Sequence, residues 1–230
     1  MPRPLQAAYA NPTDRYPHNI MGRLRAHTDL IVDLEPCLDC TEDPGTLAIR
    51  LPDNLVFEDF APRLLDLNGD GRREILVVES HQTEGARLAL WEVVLNAGKP
   101  SLARVATTEF IGRRFRWLAP IGAADFDGDG AVEIAYVDRP HLNKTLRIVR
   151  REGDKLRQIA AVPDVTNHAI GQEEVQSRIV ICDDLPTLFA LDASGQQILS
   201  IQMPGGATVV TRMGPVKTGY TLNADISCPP

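Results

Sequence analysis

Short apolar runs separated by turn residues dominate this chain, and no window of 12 or more residues carries the i, i+3, i+4, i+7 stripe of an amphipathic helix. Runs such as Ile75-Leu-Val-Val78, Ile134-Ala-Tyr-Val137 and Arg178-Ile-Val-Ile-Cys182 are rich in β-branched residues and bounded by Gly, Pro, Asn and Asp. That pattern predicts strands. One unit reads as strands at 56–65, 74–80, 86–94 and 102–110, and the next as 115–124, 133–138, 144–150 and 156–162. The two are copies, since Asp66 and Asp125 are 59 residues apart and Ala61-Pro62 and Ala119-Pro120 are 58 apart. Weaker copies flank them: 16–22, 30–32 and 46–50 before, and 166–171, 178–182, 187–191 and 197–201 after. Residues 207–210 and 220–223 begin a fifth, for which Leu5-Gln-Ala-Ala-Tyr9 would supply a missing strand. Residues 171–178 are the one stretch that reads as a helical turn.

The connections between the first two strands of each central unit carry the chemistry. Asp125-Phe-Asp127-Gly-Asp129-Gly-Ala-Val-Glu133 and Asp66-Leu-Asn68-Gly-Asp70-Gly-Arg-Arg-Glu74 place oxygen ligands at positions 1, 3, 5 and 9, with Gly at 4 and 6. Hard oxygen donors converging in a tight loop suit one Ca2+ ion. The helix-loop-helix calcium motif needs a bidentate Glu at position 12, where this chain has Val77 and Tyr136. The loops therefore connect strands, and Glu74 and Glu133 close the ligand set. Position 7, Arg72 or Ala131, would give only its backbone carbonyl, so its side chain is free to differ. Asp-Gly is also an ordinary hairpin turn, but two copies with one ligand spacing favour a metal.

Both loops resemble the FG-GAP/VCBS-type repeat of the integrin-alpha-like β-propellers, whose D-x-[DN]-x-D-G-x-x-[DE] loop joins the first two strands of a blade and binds calcium. A wider frame is similar to small exported bacterial VCBS-repeat proteins, through Arg15-Tyr-Pro-His-Asn19, Val56-Phe-Glu-Asp59, Phe115-Arg-Trp-Leu-Ala-Pro120, Tyr136-Val-Asp-Arg-Pro-His141 and Thr166-Asn-His168. The resemblance implies an all-β fold, a single β-propeller domain over 1–230, with calcium-loop blades at about 56–112 and 113–163 and degenerate blades on either side. Five blades average about 46 residues, inside the range of such repeats, and an N-terminal strand closing the ring would remove exposed edges.

Composition narrows the partners. Hydrophobic residues are 43% and charged residues 24% of the 230, which is ordinary for a globular chain. The net charge is −7, seven acids lie in the two loops, and two bound calcium ions would leave about −3. No basic patch points to nucleic acid, and no apolar run nears the ~18 residues that cross a membrane. A monomer is expected. Met1-Pro-Arg-Pro-Leu5 has no apolar signal core, so the sequence reads as cytosolic or as a mature form. Millimolar calcium outside cells and an even count of four Cys favour a periplasmic or secreted protein. Cys37-Leu-Asp-Cys40 could be a redox pair, half a zinc site or a disulfide. Two disulfides, Cys37–Cys40 and Cys182–Cys228, are the plain reading.

His18, His141 and His168 stand at similar places in the repeats and could line a ligand site with Asp59, Arg116, Trp117 and Asp138, or simply satisfy hydrogen bonds at blade ends. No Ser/His/Asp, P-loop or HExxH pattern is present, so no catalytic residue is assigned. Two functions stay open: a non-catalytic calcium-binding module for a protein or carbohydrate ligand, and a hydrolase, for example glycoside-active, using carboxylates such as Asp59 or Asp138 at a propeller axis.

Overall fold

Apolar residues two apart on neighbouring strands share a core. Leu30, Val32 and Leu34 on one strand, Ile75 and Val77 on a second and Ala89, Trp91 and Val93 on a third all turn into one core, as the two-residue period of a strand requires. The computed structural model describes residues 2–35, 45–217, 222, 226 and 228. Two compact units emerge, Met1–Trp117 with Arg151–Leu156, and Leu118–Arg150 with Arg157–Pro230. The fold is all-β: the described residues hold seventeen strands and one three-residue 3-10 turn. No described helix is long and apolar enough to cross a membrane.

In the first unit β1 (Pro4–Thr13), β2 (Ala26–Leu34) and β3 (Thr46–Arg50) form one antiparallel set, with β2 in the middle. Residues 5–9, expected to close a ring, lie in β1, and residues 6–9 pair with β2. Residues 16–22, expected as a strand, form bends and turns, and Tyr16 is buried there because its hydroxyl accepts the Phe115 N–H at 2.7 Å. The same sheet continues, through the pairing of His27 with Phe57, into β4 (Leu55–Phe57), β5 (Arg63–Leu65), β6 (Glu74–His81), β7 (Gly85–Asn96) and β8 (Lys99–Thr107). β4 and β5 both pair with β6 and divide the strand expected at 56–65. The break falls where Asp59 turns back to accept the Phe60 N–H at 2.8 Å and where Pro62 has no N–H to give. Lys155 adds one parallel pairing, to Thr107.

The second unit contains β9 (Leu118–Ala124), β10 (Glu133–Asp138), and most of β11 (Thr145–Glu152) and β12 (Lys155–Val162), close to the strands expected from the second copy. A further sheet has β13 (Val165–Thr166) and β14 (Arg178–Cys182) both pairing with β15 (Leu185–Asp192), then β16 (Gln197–Gln202) and β17 (Val209–Pro215). β17 pairs with β16, where residues 207–210 were expected to open a fifth blade, and the other strand expected there, 220–223, lies outside the described residues except for Leu222. Residues 171–178 contain no helix. Cys182, at the end of β14, is disulfide-bonded to Cys228 with a Cα–Cα separation of 5.5 Å, and beside it Phe189, Ile198 and Leu222 form a small core. Cys37 and Cys40 lie outside the described residues.

Candidate metal centre

Each loop is wound by its own acids. Gly69, Gly71, Gly128 and Gly130, at positions 4 and 6, all have φ between 71° and 92°, a conformation that side-chain-bearing residues disfavour. Asp66 and Asp125 at position 1 accept the N–H of the sixth residue, Gly71 at 3.0 Å and Gly130 at 2.9 Å. Asn68 and Asp127 at position 3 accept the N–H of position 5, at 3.0 and 3.2 Å. Asp70 and Asp129 at position 5 accept that of position 7, from Arg72 at 2.7 Å and Ala131 at 2.9 Å. The buried Glu74 and Glu133 reach back to the N–H of position 2, Leu67 at 3.0 Å and Phe126 at 2.8 Å. Two stretches of different sequence thus share one hydrogen-bond scheme.

That scheme leaves an oxygen of Asp127, Asp129 and Glu133 unused by the loop backbone. Ligand atoms of Asp125, Asp127 and Glu133 lie within 4.8 Å of one another, and hard carboxylate oxygens so gathered fit a calcium-type ion. A positive group already sits among them. Arg150 on β11 donates from Nη1 to Asp129 Oδ2 at 2.7 Å, from Nη2 to Asp127 Oδ2 at 2.9 Å and from Nε to Glu133 Oε1 at 2.8 Å. Burial pushes the Glu133 carboxyl up, against the Phe126 N–H and Arg150. The Ala131 N–H and then Arg150 hold Asp129 below the usual carboxylate range. In the first loop burial likewise raises Glu74, and the nearby Glu92 adds to the rise. Arg72 there turns its side chain onto Asp70, with Nε at 2.9 Å.

Of the seven residues expected to line a ligand site, the first unit holds a group of four and the second a group of three. In the first unit His18 Nδ1 is 2.7 Å from Glu58 Oε1, and its ring stacks on Phe115 with centroids 5.2 Å apart. Trp117 Nε1 donates to the Glu58 carbonyl at 2.7 Å, and Arg116 donates to the Phe115 carbonyl at 2.7 Å. The buried Asp59 pairs with Arg63. In the second unit the His168 Nε2 faces the Gln172 carbonyl at 3.0 Å and must donate to it, so a neutral His168 accepts at Nδ1 from His141 Nε2, 2.8 Å away. Burial would raise Asp138, but Arg139 and Arg147, at 2.7 and 2.9 Å, outweigh it and hold the carboxyl low. Asp59 and Asp138, the carboxylates considered for hydrolysis, are each committed to arginine, and nothing in these clusters favours a hydrolase.

Sequence reading missed Glu58, which also accepts from Ser80 Oγ at 2.5 Å, and it missed Arg150. A family model of the FG-GAP-like repeat matches residues 66–136, from the first residue of one loop, through the second loop, into β10. Residues 66–136 are FG-GAP-like. The FG-GAP-like span contains the whole β6–β8 meander and both candidate metal loops. A comparison with curated proteins found no match.

Proposed function

We propose that this chain is a calcium-stabilised β-propeller that serves as a non-catalytic binding or scaffold module, for a protein or carbohydrate ligand, outside the cytoplasm. The observation that carries this reading is the shared scheme of the two loops within an FG-GAP-like span, with carboxylate oxygens of Asp125, Asp127 and Glu133 within 4.8 Å. Asp66, Asn68, Asp70 and Glu74 would hold one ion, and Asp125, Asp127, Asp129 and Glu133 a second, each with the carbonyl of position 7, Arg72 or Ala131. Calcium, when bound, supplies the double positive charge that lets these acids stay ionised side by side. The Cys182–Cys228 disulfide agrees with an oxidising compartment. In this reading the sets β1–β3, β4–β8, β9–β12 and β13–β17 are blades, four among the described residues where chain length suggested five.

Calcium titration by calorimetry and thermal melting test the proposal. Binding on the order of 10⁻⁴ to 10⁻³ M is expected, as for extracellular modules. At a hundredfold excess over Kd each site would stabilise the native state by about 2.7 kcal/mol. Asp127→Ala is expected to remove one of two ions. A chelator that leaves Tm unchanged, together with no heat of calcium binding, would defeat the reading.

A further inference from the structure

The two loops differ in what faces position 9 across the hairpin. Ile75 pairs with Trp91 and Ile134 with Val149, so one step further along each ladder sets Glu74 against Glu92 but Glu133 against Arg150. Like charges directly opposite each other on neighbouring strands repel, and unlike charges attract. Glu92, with Asn68, Asp70 and Glu74, lines a cavity of about 140 Å³ beside the first loop, and its own partner is Arg151. Arg72 touches Asp70 in that loop and is half-exposed. Arg150 instead spans three carboxylates of the second loop, on the oxygens that the backbone leaves unused. A calcium ion there would need the same oxygens, and two positive groups held against them repel each other.

We infer that Arg150 is the resident counter-ion of the second loop and must be displaced before calcium enters, so that the first loop takes the ion at lower concentration. This rests on the calcium reading of the loops and adds an order of filling to it. Calcium titration of the full chain by calorimetry tests it, with Asp70→Ala and Asp127→Ala assigning the two sites. Wild type is expected to show two Kd values at least about tenfold apart, and Asp70→Ala to lose the tighter. Arg150→Met should tighten the second site by about tenfold or more and leave the first within about twofold. Arg150→Lys keeps the charge without the fork and should fall between.

A second-loop affinity unchanged in both Arg150 variants, or loss of the tighter site in Asp127→Ala, overturns the inference while the calcium reading stands. No calcium binding by wild type or any variant defeats that reading itself, and the inference with it. Melting guards against a folding defect in Arg150→Met. Its Tm in chelator should fall below that of wild type and return with calcium; a loss that calcium does not restore overturns the inference.

Discussion

Asp138 shows how single residues here are committed. It is 4% exposed, and it accepts from Arg139, Arg147 and Asn143. Asp138→Asn leaves two guanidinium groups without their anion and should cost about 2 kcal/mol at neutral pH, read by urea unfolding. The folded carboxyl titrates below the ordinary 3.8, so between the two values the unfolded chain binds more protons. The stabilisation is complete above pH 3.8 and is lost as pH falls below it, so the gap between wild type and variant should close on acidification. The acids of the two candidate metal loops were legible because their spacing is local. Arg150, Glu58 and Glu92 were not, because each acquires its meaning from a partner on another strand. Pairing 133–138 with 144–150 as a hairpin would have found Arg150 facing Glu133.

Hairpin geometry governs the elements. Gly85 opens β7 with φ of 76°, and a Cβ there would lie 2.1 Å from the Arg113 carbonyl oxygen. The segment over it is anchored by the Gly112 and Arg113 N–H groups on the Glu84 carbonyl, at 2.8 and 2.9 Å. Gly98 has φ of 81° but open space around it. Gly85→Ala should therefore cost about 3 kcal/mol, from backbone strain and the clash together, and Gly98→Ala about 1 kcal/mol from strain alone. Paired melts check the difference; equal losses would mean that the segment at 112–116 yields freely. Strands β6 to β8 and β9 to β12 were legible because apolar runs and Asp-Gly or Asn-Ala-Gly turns bound them. The broken first strand, β4 with β5, was not, because side-chain bonds of Asp59 to Phe60 and Arg63 make the break. Tyr16 misled for the opposite reason, being an aromatic buried from a turn.

At the scale of the whole molecule the all-β class and the repeat were written in the pattern, whereas the role of residues 207–210 was not. An isolated Val-Val pair cannot tell the last strand of one sheet from the first of another, and the pairing of Ile201 with Val210 decides it. The disulfide at Cys182 and Cys228 spans 46 residues. By the loop-closure entropy argument, reducing it should cost about 4 kcal/mol, seen as a fall in Tm with reductant. An unchanged Tm would mean that the unfolded chain gains little freedom on reduction.

That same bond redirects mechanical load. Tension applied to the chain beyond Cys228 enters the fold at Cys182, in β14, through sulfur. Strands β15, β16 and β17 lie inside the covalent ring between the two cysteines. They bear none of the pull along their backbone, and about 150 Å of extended chain, at 3.3–3.6 Å per residue, stays locked away until the bond is reduced. Strands β15 to β17, with the exposed Val209 and Val210, are in this sense shielded from being drawn out as a thread.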